Sequence, residues 1–460
     1  MSGFPYSDEY EVHRTLPEEG TDKSVILEMM NDLSSREDHT WEGGQCSGTM
    51  YCGDHAHYDF LNEAFANFSH VNTLQRDMCP SATKFEAEVI AMTLDLLGAS
   101  SLQGHSPAGL VTSGGSGSIA HAVLAYREAN ASSGARPNII KPETAHPAFA
   151  KAGHLFGVDM KIAPVDPATT QVDLDWVRAN IDANTVALVG SACNYGYGTI
   201  DPITDLGQIA LEHEIGLHVD GCLGGFILPF GRELGYDIEP FDFSVPGVTT
   251  ISADTHKYGY ALKGTSVLAF ADQSLRNSQY FYLTDWSGGK YCSPGMDGSR
   301  SGGLLAATWA AMVHLGRSGY RRYAKAIFET SARMQQEVRR HETLRIMGTP
   351  SFLFSFTSDD YDVYLVNDFL RLRGWRLNGQ QYPNALHMAV TRPQTQPGVV
   401  ERWATDLADA VAYALEHRDH APSSGAIYGG VAGGMTSEAD EFIRAVMGSM
   451  MDQQASIPAP

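Results

Sequence analysis

The stretch TVALVGSACNYGYGTIDPITDLGQIALEHEIGLHVDGC (185–222) decides the fold. It contains an apolar run of strand length (185–192), a segment with helical apolar spacing (205–214) and a second apolar strand (216–222). Strands that are regularly separated by helices indicate βαβ units, which build a parallel sheet. The stretch therefore predicts an α/β fold class with a mostly parallel sheet.

The same alternation extends to both sides of this stretch. Further strands are predicted at 138–143, 160–165, 249–257 and 265–271, and further helices at 84–98, 118–131, 149–157 and 174–181. We assign these elements to one large domain, residues 84–316. Residues 1–83 precede it as a polar, loop-rich segment with one helix-like stretch at 23–35.

The pattern changes near residue 317. A long helix over 317–341 is followed by strands at 351–357 and 384–391 and by helices at 361–373 and 399–418. This order predicts a smaller C-terminal α+β domain over residues 317–460.

Composition and charge exclude several classes of protein. Lys and Arg number 32 against 54 Asp and Glu, and the net charge of −22 argues against nucleic acid or an anionic membrane surface as the main partner. No stretch approaches the roughly 18 apolar residues of a membrane-spanning helix. The first 20 residues lack the basic and apolar regions of a signal peptide. We expect a soluble, cytoplasmic protein without stable membrane insertion.

The first chemical motif is TSGGSGS (112–118), between an apolar strand and the start of a helix. Glycines in such a turn let backbone N–H groups face an anion, and a helix N-terminus favours negative charge. The hydroxyl groups of Ser113, Ser116 and Ser118 add donors. The motif indicates a phosphate cradle; a tight strand-to-helix turn without a ligand is the alternative.

The second motif is LHVDGCLGG (217–225), which puts Asp220 at the end of a buried strand. A buried carboxylate is costly unless it faces a cation, and a protonated ring nitrogen is one candidate. A salt bridge or a helix cap is the alternative.

The third motif is SADTHKYGYALKGTS (252–266), in which Lys257 follows a strand and Lys263 lies six residues later. An amine that is near another cation and out of bulk water has a lowered pKa and is a usable nucleophile. Two surface lysines on a loop are the alternative.

Taken together, the three motifs meet the needs of pyridoxal phosphate as a cofactor. The lysine attaches the cofactor as a Schiff base, the acid keeps its pyridine nitrogen protonated, and the glycine turn holds its phosphate. The stretch TAHPAF (144–149) adds His146, whose ring we expect to stack on the cofactor.

The same residues carry a family resemblance over residues 25–450. The chain resembles the group II pyridoxal-phosphate decarboxylase superfamily and, within it, the sphingosine-1-phosphate lyase family. The resemblance implies the fold-type I architecture of transferases that depend on pyridoxal phosphate. The motifs that carry it are TSGG (112–115), AHPAF (145–149), HVDGCLGGF (218–226), DFSVPGVTTISAD (242–254), SADTHKYGYALKG (252–264), TDWSGGKYCSP (284–294), GSRSGG (298–303) and GAIYGG (425–430).

The resemblance implies roles for individual residues. Lys257 binds the cofactor covalently with His256 beside it, and Asp220 pairs with the pyridine nitrogen. The other implied cofactor contacts are Gly115 and Ser116 at the phosphate, His146 on the ring, His218, and Ser301 and Gly302 from a neighbouring subunit. Tyr51 and Lys263 bind the substrate phosphate, and Tyr195 or Tyr197 acts as acid, base or substrate contact. These enzymes are homodimers with shared sites, to which residues 1–83 contribute.

The chain also departs from the family pattern. The lyases have His-Pro-Asp where this chain has Gln75-Arg76-Asp77, so Gln75 replaces a phosphate-binding histidine and Arg76 is expected to compensate. The cradle has Ser116-Gly117 in place of Thr-Glu. Membrane-bound members of the family have an N-terminal anchor, which we do not expect in this protein. Arg392 is either a surface residue or, as in enzymes that act on amino acids, a ligand for the substrate carboxylate.

Two enzyme hypotheses follow from this resemblance. The first is a carbon–carbon lyase that cleaves a phosphorylated 2-amino-3-hydroxy compound to an aldehyde and phosphoethanolamine. The second is an amino-acid decarboxylase with Arg392 as the carboxylate ligand. A non-catalytic scaffold is a third alternative, which intact Lys257, Asp220 and His146 disfavour. We assign no metal, because His55 and His57 have no set of partner ligands and are predicted to lie in a loop near the site entrance.

Overall fold

A seven-stranded sheet forms the centre of the structure, a computed structural model that describes residues 4–130, 136–425, 429–430 and 435–455. Strands β1 to β7 are Ala108–Thr112, Asn138–Pro142, Asp159–Ala163, Thr185–Ser191, Gly216–Asp220, Thr250–Ala253 and Ser266–Phe270. Their order across the sheet is β1-β7-β6-β5-β4-β2-β3. The predicted mostly parallel sheet is confirmed, because only β7 runs antiparallel to its neighbours.

Helices surround this sheet, and further helices precede and follow it along the chain. In the described residues they are α1 to α13, at Lys23–Glu42, His55–Ala66, Pro80–Leu96, Gly115–Ala129, Ala148–Phe156, Leu174–Asn180, Ile203–Glu212, Leu228–Glu233, Gln273–Ser278, Gly302–Arg339, Tyr364–Leu372, Val399–Glu416 and Ser437–Ala455. Short 3-10 turns lie at Ala99–Ser101 and Arg392–Thr395.

Burial along the strands agrees with helices that cover both faces of the sheet. Every residue of β1, β2, β4, β6 and β7 is buried. By contrast, β3 lies at the sheet edge and is partly exposed. Continuous apolar runs such as TVALVGS (185–191) are what a parallel sheet covered on two faces requires.

One edge of the sheet collects the carboxyl ends of most strands. Because β7 reverses direction between β6 and β1, β1 runs parallel to β2, β4, β5 and β6. The chain therefore leaves all of these strands at one edge, which is where ligands bind in open α/β sheets.

The connection between β6 and β7 differs from the others. Residues 254–265 join the two strands without a crossover helix. Such a connection can return the chain only antiparallel to β6, whereas a parallel neighbour needs a crossover. It contains Lys257 and Lys263, which therefore lie in a loop at the carboxyl edge.

The C-terminal part has its own antiparallel sheet. Its strands are β10 Arg345–Ile346, β11 Leu353–Thr357, β12 Asn378–Gln380 and β13 Ala385–Ala389, in the order β10-β11-β13-β12. A hairpin of β8 Phe281–Leu283 and β9 Tyr291–Ser293 precedes α10. Gly316 interrupts α10 with φ +53 beside the expected boundary at 316/317. The division at 83/84 and 316/317 stays a prediction.

The expectation of a single helix before residue 80 is wrong. Helix α2 begins at His55 and is capped by Asp54, which accepts the N–H of His57. His55 and His57 therefore lie in a helix and not in a loop. His57 is buried with its Nε2 2.9 Å from the Tyr260 carbonyl oxygen, whereas exposed His55 contacts Glu42.

Two further observations bear on the sequence-based expectations. Among the described residues, no helix combines the length and the apolar character needed to cross a membrane. Residues 426–428 of the GAIYGG motif lie outside the described residues.

Candidate active site

A cavity of about 360 Å³ opens at the carboxyl edge of the sheet. Its volume is within the range of about 300–1,000 Å³ that is typical of small-molecule sites. It brings together the glycine turn, the His146 segment and the lysine loop. The lining residues are Ser113, Gly114, Gly115, Ser116, Gly117, Ile119, His146, Cys222, Asp254, His256 and Lys257.

The start of helix α4 forms one wall of this cavity. Gly115 is its first residue, and the first N–H groups of a helix have no intrahelical partner. A Cβ on Gly115 would lie 2.7 Å from Asp254 Oδ2 and 2.9 Å from Cys222 Sγ. Glycine therefore keeps this end of the helix open, and the helix dipole favours an anion there. The wall fits the phosphate of the predicted cofactor.

Asp220 lies at the end of β5 and is 7% exposed. Its Oδ1 accepts hydrogen bonds from the Cys222 N–H and the Ser252 hydroxyl, both at 3.1 Å. Burial raises the pKa of this carboxyl, but its hydrogen bonds, those from Cys222 first among them, outweigh burial and hold it below its ordinary value. A charged carboxylate in this position fits a protonated ring nitrogen.

Neither His218 nor Asp220 is among the residues that line the cavity, and the role of His218 as a cofactor contact stays a prediction. Its Nδ1 is 2.8 Å from Thr250 Oγ1 and its Nε2 is 3.4 Å from Ser252 Oγ. Burial lowers the pKa of His218 to about 4, so the ring is neutral. Its position behind Ser252 makes it a support for Asp220.

His146 lines the cavity, as predicted. Its Nδ1 accepts the N–H of Ala148 at 3.2 Å, which orients the ring at the start of α5. Burial lowers the pKa of His146 further than Asp220 raises it. A neutral imidazole is the form that stacks on a cationic aromatic ring without repulsion.

Lys257 contradicts the expectation of a lowered pKa. Its Nζ lies 2.9 Å from Asp254 Oδ2. Burial lowers the pKa of Lys257, but the charge of Asp254 outweighs burial and holds the pKa well above its ordinary value. Without a ligand, Lys257 is therefore an ammonium paired with Asp254.

His256 stands between this cavity and a second one. Its Nδ1 lies 2.5 Å from the Thr265 carbonyl oxygen, and its Nε2 lies 3.8 Å from Asp254 Oδ2. The second cavity, of about 270 Å³, has His256, Tyr51 and Lys263 among its lining residues. The two sites therefore meet at the imidazole of His256.

Tyr51 and Lys263 face each other in the second cavity. Lys263 Nζ lies 4.7 Å from the centre of the Tyr51 ring and donates to the Thr49 carbonyl oxygen at 2.9 Å. Burial raises the pKa of Tyr51 to about 12. Burial also lowers the pKa of Lys263 to about 8, with a contribution from Lys257. A neutral phenol donor beside an ammonium suits a phosphate group.

Of the two candidate tyrosines, Tyr195 lies closer to the lysine charge. Burial raises its pKa and the charge of Lys257 lowers it. The pKa of Tyr197 is raised by burial and by Glu143, without a contribution from Lys257. The charge of Lys257 therefore distinguishes Tyr195 from Tyr197, although neither tyrosine is among the residues that line the two cavities.

The GSRSGG loop is bound to residues 71–75. Gly302 donates its N–H to Val71 at 2.8 Å, and Thr73 donates to Arg300 at 3.1 Å. Ser301 caps α10 and lines a smaller cavity of about 160 Å³ that shares Ser113 with the first. Gln75 is exposed beside this loop and lines none of the three cavities.

Arg76 cannot compensate for the missing histidine as expected. Its guanidinium pairs with Glu86, which is 6% exposed. Arg300 binds the same carboxylate through Nη1 at 2.9 Å and Nη2 at 3.0 Å. Arg76 therefore pairs with the same carboxylate that holds Arg300 of the GSRSGG loop.

Arg392 is occupied by contacts of its own chain. Its Nη2 donates to Asp54 Oδ2 at 3.2 Å, and its Nη1 lies 2.8 Å from Cys52 Sγ. The guanidinium lies 4.0 Å from the centre of the Tyr323 ring. These contacts tie the C-terminal part to residues 52–54 and do not leave the guanidinium facing the cavity.

The sequence reasoning missed Asp254 and Cys222, although both stand inside quoted motifs. Asp254 directly follows β6, at the same edge as Asp220. Its place at a strand end, three residues before Lys257, was a signal that could have identified it.

We predict that Gly115→Ala weakens binding of pyridoxal 5′-phosphate at least about tenfold, or about 1.4 kcal/mol, because the added Cβ meets Asp254 and Cys222. Titration of the cofactor-free protein, followed by visible absorbance, measures this affinity. Gly448→Ala is the control, since its Cβ would meet no atom within 4 Å. An unchanged affinity in Gly115→Ala contradicts the assignment of the phosphate wall.

Comparisons with known proteins agree with this site. The pyridoxal-dependent decarboxylase conserved domain matches residues 10–353. A sphingosine-1-phosphate lyase of Arabidopsis thaliana is 42% identical over 403 residues, which are 86% of this chain and 73% of that protein. A probable sphingosine-1-phosphate lyase of Legionella pneumophila is 36% identical over 84% of this chain and 65% of its own length.

Solved structures of related proteins are also similar to this chain. A sphingosine-1-phosphate lyase of Burkholderia pseudomallei is 54% identical with a TM-score of 0.92, covering 99% of this chain and 100% of its own. A glutamate decarboxylase of Lactobacillus brevis, 19% identical with a TM-score of 0.74 over 91% of this chain and 98% of its own, shares the fold. This chain belongs to the sphingosine-1-phosphate lyase family of pyridoxal-dependent decarboxylases, and its cofactor is pyridoxal 5′-phosphate.

Proposed function

We propose that this protein is a carbon–carbon lyase that cleaves a phosphorylated 2-amino-3-hydroxy compound of the sphingosine 1-phosphate type. The products are an aldehyde and phosphoethanolamine. The observation that carries the proposal is the second cavity, in which Tyr51 and Lys263 face each other next to the cofactor cavity. The names of the relatives support the same substrate class.

When bound, pyridoxal 5′-phosphate takes up the electron pair that is released as the Cα–Cβ bond breaks. The residues of the chain bind and orient the reacting groups. The start of α4 at Gly115 and Ser116 binds the cofactor phosphate, and Lys257 supplies the amine for covalent attachment. Asp220 holds a proton at the pyridine nitrogen, and His146 covers one face of the ring.

The lyase reaction also needs a group that removes the proton of the 3-hydroxyl. Tyr195 in its phenolate form is our candidate: burial raises its pKa and the charge of Lys257 opposes that rise, whereas the pKa of Tyr197 is raised by burial and by Glu143. Lys257, once displaced by the substrate amine, is the alternative base. His256 borders both cavities and can orient either partner.

The contacts of Arg392 argue against the decarboxylase alternative. A decarboxylase needs a group that binds the substrate carboxylate, and Arg392 was the candidate for it. Its guanidinium is instead paired with Asp54 and lies on the Tyr323 ring. Breaking a partly buried ion pair to bind a substrate is costly, and the lyase needs no such change.

We also propose that two copies of the chain share their sites. The hairpin beside the GSRSGG loop exposes apolar side chains, with Tyr282 64% and Trp286 54% exposed. Leu74 and Met78, which flank Gln75, are 50% and 73% exposed. A second copy that covers this surface would bring Ser301 and Gln75 close to the site of its neighbour.

We expect the purified protein, loaded with pyridoxal 5′-phosphate, to convert sphingosine 1-phosphate to a long-chain aldehyde and phosphoethanolamine. Mass spectrometry of both products measures the reaction. Lys257→Ala should lose detectable turnover, because among the described residues Lys257 is the one lysine that lines the first cavity. Carbon dioxide from a panel of amino acids, without aldehyde, would instead establish a decarboxylase.

We predict that affinity for a phosphate monoester falls as pH rises through about 8, where the Lys263 ammonium loses its proton. The decrease approaches about tenfold per pH unit, because one proton is linked to binding. Calorimetry with glycerol 3-phosphate and the cofactor-loaded protein between about pH 7 and 9.5 measures it, since the ligand is already doubly charged there. Lys263→Arg stays charged and should bind with a flat profile. A flat profile in the unsubstituted protein contradicts the assignment.

The shared site predicts complementation between two inactive variants, Lys257→Ala and Ser301→Asp. Random mixing makes half of the dimers mixed, and each mixed dimer has one intact site, so about a quarter of full activity should return. Co-refolding followed by an activity assay measures this. No recovery would mean that Ser301 serves the site of its own chain.

A further inference from the structure

Asp254 is a carboxylate of the cofactor cavity to which the mechanism above gives no role. It is 2% exposed, at the carboxyl end of β6. Its Oδ2 lies 2.9 Å from Lys257 Nζ, and its Oδ1 is buried without a hydrogen-bond partner among the described residues. Both oxygens lie within 2.8 Å of the position that a Cβ on Gly115 would take, at the start of α4.

The surroundings of Lys257 make Asp254 its main electrostatic partner. The titratable groups around it are Tyr51, His146, Cys193, Tyr195, Asp220, Cys222, Asp254, His256 and Lys263. Burial raises the pKa of Tyr51, Cys193 and Cys222, which keeps them neutral near pH 7. Asp220 accepts hydrogen bonds from Cys222 and Ser252, so these residues are the partners of its carboxylate.

We propose that Asp254 is a positioning residue that holds the Lys257 amine as an ammonium against the cavity wall until the cofactor enters, and thereby sets the pH at which Lys257 captures the cofactor aldehyde. The inference rests on the proposed role of Lys257 as the attachment site. It does not depend on which substrate the enzyme cleaves.

Capture requires that the ammonium first lose a proton, for which the Asp254 carboxylate is the adjacent acceptor. The free amine then attacks the aldehyde carbon, and a carbon–nitrogen bond forms. The carbonyl oxygen leaves as water with the two remaining protons of the amine. The proton on Asp254 passes to solvent, so the balance of the step is one water and one proton released.

The position of Asp254 next to α4 also opposes capture of the cofactor. The cofactor phosphate binds at the start of this helix, so a carboxylate in contact with Gly115 also repels the entering phosphate. Replacement of Asp254 by a neutral isostere removes both effects. Cofactor capture should then proceed at lower pH.

The test follows capture of pyridoxal 5′-phosphate by the cofactor-free protein from about pH 5.5 to 10. Visible absorbance reports binding, and borohydride reduction followed by intact-mass analysis counts covalent cofactor. We expect the midpoint pH of capture to fall by about 1–3 units in Asp254→Asn, the usual effect of one adjacent charge. Asp254→Glu retains the charge and should keep the midpoint near that of the unsubstituted protein.

Three controls separate the possible outcomes. Lys257→Ala should form no covalent adduct; if the unsubstituted protein is trapped at another residue, the role of Lys257 fails and the inference fails with it. Asp242→Asn removes a different buried carboxylate, paired with Arg232 at 2.9 Å, and should leave the midpoint unchanged. Asp254→Ser provides a second neutral variant if Asp254→Asn has a lowered thermal midpoint. An unchanged capture midpoint in a folded neutral variant overturns the proposal, whereas absence of lyase activity does not affect it.

Discussion

The register between β5 and β6 is the constraint on which the site depends. Asp220 lies opposite Ser252, so the strand that carries the ring-nitrogen acid is aligned with the strand that leads into Asp254 and Lys257. Side chains alternate between the two faces of a strand, so a slip of one residue would turn Asp220 away from the cavity. The Ser252–Asp220 hydrogen bond and the fully buried β6 both oppose such a slip.

The chain has a net charge of −22, yet the proposed function requires it to bind two phosphate groups. Positive groups lie at the two proposed phosphate sites, and the acids nearby are paired with other side chains. At the cofactor phosphate, the start of α4 supplies backbone donors and partial positive charge and does not require a basic side chain. At the proposed site of the substrate phosphate, the cation is Lys263. The nearby acids are directed elsewhere: Asp254 to Lys257, and Glu86 to Arg300 and Arg76. The overall charge therefore says little about the ligands of either cavity.

The sequence predicted the βαβ order and the three chemical motifs well, because apolar periodicity and glycine turns are local signals. It could not predict the partners that distant segments supply. Asp254 is close to Lys257 in sequence and could have been identified, but its distance of 2.9 Å from the amine depends on how the loop after β6 turns. Arg392 looked free in sequence, although Asp54 lies 338 residues away along the chain and pairs with it. Helix α2 was also missed; it packs against α10, a contact between segments that lie far apart along the chain.

The C-terminal part holds the loop of Tyr195 in place, although none of its described residues lines the two cavities of the site. Gln380 donates a hydrogen bond to the Gly196 carbonyl oxygen, and the His387 ring packs edge-on against Tyr195 at 4.6 Å. Gly198, with φ +73, brings the same loop so close to β11 that a Cβ would lie 2.3 Å from the Leu353 carbonyl oxygen. The loop that carries Tyr195 is therefore held between the two sheets. The C-terminal part therefore positions Tyr195, while the residues that line the first cavity come from the segments around the larger sheet.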